Sequence, residues 1–427
     1  MLVVLHTTAY TVIGPKDELQ HIDYADKVAH LEYPRFPEPI GQRPLREQAC
    51  RRIDSPFNAA VPPCDQPEYD ASQFQEGGLS TQTFHPPLYY VAVGIPARVV
   101  AKVFGFDGLV GVERLLGAVW LGAALCLMYA AARRLGADPW ITVALLLMVA
   151  STGQILYVHS TVSNDATAVF TGALCLWAVM RDKATWRTGA LLVLAGLVAG
   201  GTKITNGFGV GAACLFAFFA PWARAAATDL WSRLRPGALL AGGYLVATLA
   251  WQLAFQKTQL IAPRDLSIFN RFKPATFDLG TVLWQAPAYA NPFSTSVAPH
   301  NVHAAPAYVP ELFSGPVPQL MSVVIGLVLV AGAYGSWALF TRERSPATVL
   351  GASASTLLLV GGPLQFALVY FSTTAGYTEA RYAFSVVPAM VVTCALLATR
   401  KARWPLGAIA GIAFTSIVVV ALWSHIA

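Results

Sequence analysis

The chain has 427 residues, 55% of them hydrophobic and only 12% charged, with a formal net charge of +6. A soluble domain carries roughly 25% charged residues, so a soluble globular protein is excluded and a polytopic membrane protein is indicated. The basic excess comes with no nucleic-acid motif, and in a membrane protein surplus Lys and Arg mark cytoplasmic loops.

Residues 1–14 are apolar but would rise only about 21 Å as a helix, against a hydrocarbon core of roughly 30 Å. They lack the basic start and small-residue cleavage site of a signal peptide, and are expected to form the outer part of a first membrane helix. Directly beyond them comes GPKDELQHIDYADKVAH, which crowds Asp17, Glu18, Asp23 and Asp26 with His21 and His30 at one membrane edge. Asp23 and Asp26 are expected to be solvated. Asp17 and Glu18 also suit a helix start, where carboxylates cap free N–H groups.

Cys50 and Cys64 lie in the same outer segment, where an oxidising compartment permits a disulfide closing about 15 residues, worth about 3 kcal/mol in the entropic account. Two unpaired thiols are the alternative. Cys126, Cys175, Cys214 and Cys394 sit in apolar runs as small hydrophobes.

The stretch 86–106, opening HPPLYYVAVGIPARVV, is decided by charge bias. If it does not cross, Arg133–Arg134, Arg181–Lys183, Arg224–Arg235, Arg342–Arg344 and Arg400–Arg403 all fall on one side, as the positive-inside rule requires. It is therefore expected to be an amphipathic helix along the outer surface, with Arg98 and Lys102 snorkelling. Tyr89 and Tyr90 suit an interfacial aromatic belt. Pro86 and Pro87 fix the chain and aim His85.

Further apolar runs near 115–133, 139–158, 166–181, 188–206, 207–223, 237–255, 319–340, 347–371, 382–399 and 404–424 bring the expectation to about eleven membrane helices, amino terminus inside and carboxyl terminus outside. The fold class is all-α, with juxtamembrane helices in a first outer loop at 15–114. A long outer loop at 256–318 is rich in Pro and aromatics, and reads as a lid, an acceptor platform or a structural cap. Most polar clusters not explained by charge bias gather on the outer face.

Two cations stand out there. Lys203 ends an otherwise apolar run, GLVAGGTKITN, where a Lys either snorkels or binds an anion; Gly200 and Gly201 let a backbone or a prenyl chain come close. Arg381 opens a helix, an end whose dipole favours anions instead. A bound phosphate would explain it, since guanidinium geometry suits phosphate; an ion pair with Glu379 or another loop carboxylate is the alternative. Tyr382 lines the same place. Asp165 reads either as a plain helix-start residue or as part of the site.

Together, Asp17–Glu18, HPPLYY at 85–90, ERLLGAVWLGAALCLMYAAARRLG at 113–136, VSNDATAVF at 162–170, GLVAGGTKITN at 196–206 and EARYAFSVVPA at 379–389 resemble the GT-C superfamily of polytopic glycosyltransferases, nearest to protein mannosyltransferases and aminoarabinose transferases. The resemblance covers residues 1–210 and 375–400. It implies a single GT-C-like transmembrane domain over 1–427 in a plasma (inner) membrane, active on the extracytoplasmic face. It implies transfer of a sugar from a polyprenyl-phosphate donor to a glycan, lipid or protein acceptor of the cell envelope. Asp17 would be the general base and Glu18 its neighbour in the catalytic pair. Lys203 and Arg381 would hold the lipid phosphate, with His85, Asp165 and Tyr382 shaping the substrate site. Some relatives use a divalent cation, which would make Asp17 and His21 its candidate ligands. The abundance of Ala, Gly, Arg and Trp fits a high-GC bacterial source. Readings from other classes are a transporter or flippase of a lipid-linked intermediate, which expects charges at mid-membrane, and a noncatalytic assembly subunit.

Overall fold

A computed structural model describes residues 1–15, 17–54, 61–105, 108–223, 229–258, 290–293, 311–364 and 380–426. Among them the regular structure is helical, and extended pairing is limited to two isolated bridges, Ile13 with Ile53 and Pro39 with Leu79. Most of the loop 256–318 and the first part of the connection preceding Arg381, Glu379 included, lie outside the described residues.

The helices follow the apolar runs. α1 (Leu2–Ala9) leads into α2 (Glu18–Ala29), α3 (Gln42–Arg51) and α4 (Leu88–Phe104), then α5 (Val110–Arg134), α6 (Pro139–Ala150), α7 (Gly153–Ser160), α8 (Ala166–Arg181), α9 (Trp186–Thr202), α10 (Gly207–Ala223) and α11 (Leu230–Thr258). Further long helices are Pro316–Phe340, Pro346–Thr356, Val387–Leu397 and Arg403–Ile426. Six helices among the described residues are long and apolar enough to cross a membrane, or seven if the bent pair α6–α7 counts as one span. The expected eleven is not reached on this measure, because α8, α9 and the apolar part of α10 are shorter apolar helices. The chain has the helices of a multi-pass membrane protein.

Local chemistry sets the ends. Asp138 caps α6, its Oδ1 accepting from Trp140 N at 3.0 Å and Ile141 N at 3.2 Å, with Pro139 at the first helical position. Thr185 and Thr188 form a capping box on α9, and Ser345 and Thr348 repeat it before Pro346–Thr356. Between α6 and α7 the chain bends by 65° at Ser151–Thr152, which turns the polar segment after α7 inward.

Small residues bring the helices close. A side chain at Gly196 would strike the backbone of Leu240, and one at Gly243 that of Val193, so α9 and α11 pack backbone to backbone. Gly200 faces the Tyr244 carbonyl and Gly201 the Leu88 side chain, so both glycines serve packing between helices. α4, which falls short of the spanning length, lies on α2 through Gly94 against the Ala25 carbonyl.

Two cores result. The larger, around Met128, Leu145, Phe384 and Met390, sits inside the bundle. The smaller, around Leu19, Tyr24, Leu45, Tyr90 and Val93, binds α2, α3 and α4 together.

The basic connections are tied to one another at one end of the bundle. Arg403 Nε donates to Asp138 at 3.1 Å, Arg134 Nε to the Met180 carbonyl at 2.9 Å, and Arg235 Nη1 to Asp182 at 2.9 Å. At the opposite ends of α5, α8 and α9 lie Arg114, Asp165 and Lys203.

Candidate functional site

The turn 161–165 between α7 and α8 ends in Asp165, only 1% exposed. Its Oδ1 accepts from the Lys203 ammonium, and its Oδ2 pairs with Arg381 Nη1 at 3.2 Å. Lys203 stands where α9 ends in extended backbone. Arg381 lies in the 3-10 turn Ala380–Val386 that runs into Val387–Leu397. That turn is held in a notch where side chains at Gly172 of α8 and Gly209 of α10 would both strike the Ser385 carbonyl. Gly209 N also donates to Ser385 Oγ at 3.0 Å. The Tyr382 ring lies 5.1 Å from Lys203 Nζ and 5.7 Å from Arg381 Cζ, close enough for cation–π attraction. Burial raises the Asp165 carboxyl, but the Lys203 ammonium and the Arg381 guanidinium outweigh it and hold the group well below the ordinary carboxylate range.

His21 and His85 border it. Their rings stack with centroids 6.1 Å apart, and His21 Nδ1 hydrogen-bonds the Tyr90 hydroxyl at 2.8 Å. The His85 backbone is held in place by Tyr24, whose hydroxyl donates to its carbonyl at 3.2 Å, and by Trp251, which donates to the neighbouring Phe84 carbonyl at 3.0 Å. Burial first, then the Lys203 ammonium, pushes His21 down to about 3 and His85 well below its usual value. Both rings are neutral at pH 7.

Asp17 occupies the N-cap of α2 in the left-handed region, φ 58° and ψ 9°. Asp tolerates this region better than most residues, and such positions collect at functional sites. Its side chain makes no capping bond, so helix capping does not account for it. It lies four residues before His21 on α2, and its backbone carbonyl accepts from His21 N at 3.0 Å.

Glu18 is 1% exposed, with both oxygens engaged. It accepts from Arg114 Nε and Nη2 at 2.8 Å each, from Gly14 N at 2.5 Å and from Val162 N at 2.8 Å. Arg114 in turn donates to the Tyr10 carbonyl at 2.5 Å and the Val12 carbonyl at 2.6 Å. The geometry gives Glu18 the task of joining the α1–α2 connection, α5 and the turn before α8. Nothing in the sequence names Arg114 as the partner of Glu18.

Asp17 and His21, the candidate divalent-cation ligands, stand four residues apart at the start of α2. They supply at most two donors, with His21 Nδ1 already engaged by Tyr90. No group of three or more His, Cys, Asp or Glu forms among the described residues, whereas protein zinc sites use at least three protein ligands.

Other expectations change. Tyr89 and Tyr90 are buried, 2% and 0% exposed, and do not form a lipid-facing belt. Tyr89 accepts from Ser163 N at 2.9 Å, and Tyr90 stacks on Tyr24. Asp23 is fully buried rather than solvated: it accepts from Ser80 Oγ at 2.6 Å and Gly41 N at 2.9 Å, and pairs with Lys27 at 3.0 Å. Asp26 stays partly open beside Arg43 and His30. Cys50 and Cys64 are joined, their Cα atoms 4.4 Å apart.

No protein-family model matches the chain, and no curated protein matches it. A solved structure of ArnT from Cupriavidus metallidurans in the apo state is similar at 15% identity, with a TM-score of 0.48. The match covers 95% of this chain and 59% of that one, so the chain spans less than two thirds of its length.

Proposed function

We propose that the protein is a GT-C-like membrane glycosyltransferase that moves a sugar from a polyprenyl-phosphate donor to an extracytoplasmic acceptor of the cell envelope. The observation that carries this reading is the meeting of two cations, buried Lys203 and partly buried Arg381, on Asp165 beside the neutral rings of His21 and His85. Two cations converging on one place suit a phosphate whose charge grows as its ester bond breaks.

In this reading the acceptor hydroxyl attacks the anomeric carbon. Asp17 takes its proton. The bond between that carbon and the phosphate oxygen breaks, and the electron pair leaves with the polyprenyl phosphate, held by Lys203 and Arg381. A single displacement inverts the anomeric centre. The phosphate is a good leaving group, so the second carboxylate that hydrolases use as an acid is not required. Neutral His21 and His85 offer hydrogen bonds without competing for the phosphate as charges, and Tyr382 lines the cation pocket. The active face is extracytoplasmic, opposite the tied basic connections.

The test is transfer by the purified protein in lipid, from radiolabelled polyprenyl-phosphate sugars to a crude membrane acceptor fraction. Loss of transfer in Asp17→Asn, with expression and melting unchanged, supports the assignment of the base; full activity in that variant refutes it. Absence of transfer from every donor, with saturable lipid binding that Arg381→Ala abolishes, would favour a carrier or assembly role.

A further inference from the structure

Beside the phosphate cluster lies a polar feature that the proposed reaction has not used. Seven consecutive residues, His159–Asp165, are buried, none more than 5% exposed, although five of them are polar or charged besides Thr161. Backbone groups of the turn are satisfied: Val162 N reaches Glu18 and Ser163 N reaches the Tyr89 hydroxyl. The side chain of Asn164 is different. It is 0% exposed, and neither its amide nitrogen nor its oxygen has a hydrogen-bond partner. The neighbouring Ser160 hydroxyl and His159 Nε2 share this condition. Thr167 Oγ1 donates to the Asn164 backbone carbonyl at 2.8 Å, so it does not occupy the side-chain amide.

A buried primary amide with both halves unsatisfied is costly, and a fold that needed only packing would place an apolar residue there. Asn offers two donors and an acceptor in one plane, which matches a pair of neighbouring hydroxyls. Its Cα is one residue, about 3.8 Å, from that of Asp165, which contacts both phosphate-holding cations.

We propose that Asn164 is a specificity residue that hydrogen-bonds hydroxyls of the donor's sugar. The inference rests on the donor reading given above. It separates two parts of one ligand: Lys203 and Arg381 hold the phosphate, and Asn164 reads the sugar.

The test is binding to the full chain in nanodiscs, comparing decaprenyl phosphate with decaprenyl phosphate carrying mannose, glucose or arabinose. The parent is expected to prefer one glycosylated lipid. Asn164→Leu, close in volume and apolar, is expected to melt no lower than the parent and to bind decaprenyl phosphate equally well. Its preference for the glycosylated lipid should fall roughly ten- to a hundredfold. Asn164→Ser, which keeps a hydroxyl, should fall between. Unchanged preference in Asn164→Leu overturns the assignment. So does an equal loss for both lipids, or a lower melting temperature in Asn164→Leu and Asn164→Ser alike, since the amide then serves the fold. If the parent itself binds all the lipids equally, the donor reading fails in its own arm, and this inference falls with it.

Discussion

The guanidinium of Arg114 forks onto the carboxylate of Glu18, two nitrogens meeting two oxygens at 2.8 Å, with both side chains 1% exposed. Removing one partner of such a pair leaves an uncompensated buried charge, which costs about 3–5 kcal/mol. Arg114→Met is therefore expected to lower the melting temperature sharply, and Arg114→Lys to recover only part, since an ammonium cannot match the fork. Thermal unfolding in detergent reads both. An Arg114→Met protein that melts with the parent would show that the pair carries no stability.

Low pH should weaken the outer unit through its histidines. His21 is held down to about 3 in the fold, from a value of 6.5 when unfolded, and His85 is depressed in the same direction. The unfolded chain thus binds protons that the folded chain refuses. The stability from these rings is complete above about pH 6.5 and drains away as pH falls toward the folded value, at roughly 1.4 kcal/mol per pH unit for each ring. Asp165 contributes little in that window, because its depressed carboxyl is lost only in stronger acid. Melting followed from pH 7.5 to 4.5 should fall below pH 6.5, and His21→Gln should flatten that slope. A flat profile in the parent would contradict the buried neutral state of these rings.

Asp165 is the resident counterion of the two cations. Asp165→Asn removes the charge of the carboxylate that both Lys203 and Arg381 contact. The variant is expected to melt lower than the parent without ligand, and to gain more from decaprenyl phosphate than the parent does, because the phosphate then supplies the missing anion. Melting shifts across a lipid titration measure this. An equal gain in both proteins would mean the phosphate sits elsewhere.

Gly94 tests the seat of His85. A Cβ there would collide with the Ala25 carbonyl, whereas one at Gly122 would meet nothing within 4 Å. Gly94→Ala should cost about 1–3 kcal/mol through overpacking and loosen substrate binding by moving α4 against α2. Gly122→Ala should be neutral or stabilising, by up to about 1 kcal/mol. Equal stability of the two variants would remove the contact from any role in placing the site.

Much of the helical framework could be read from apolar runs alone, because burial in lipid or in a bundle core both demand such runs. Lys203 and Arg381 were legible for a sharper reason: Lys203 ends an apolar run, and Arg381 opens a helix, an end whose dipole disfavours a cation, so an anion was to be sought. That anion was harder to see. Asp165 lies 38 residues from Lys203 in the chain and still farther from Arg381, and only the bend at Ser151–Thr152 and the glycine notch at Ser385 bring them together. Tyr90 and Asp23 were misplaced for the converse reason. Their polar groups find partners on distant segments, His21 with Tyr90 and Ser80 with Asp23, so residue types common at surfaces enter the interior. The pairing of Glu18 with Arg114, 96 residues away, left no trace in spacing or periodicity.

The notch around Ser385 gives two featureless positions leverage over the chemistry. Gly172 and Gly209 carry no side chain and touch no proposed ligand, yet their lack of a Cβ lets the turn bearing Arg381 sink onto α8 and α10. A random-mutation screen for altered donor use should therefore recover substitutions there as well as in the polar residues. The route by which such a protein drifts from one sugar lipid to another would then run through its scaffold, with the charged residues left in place.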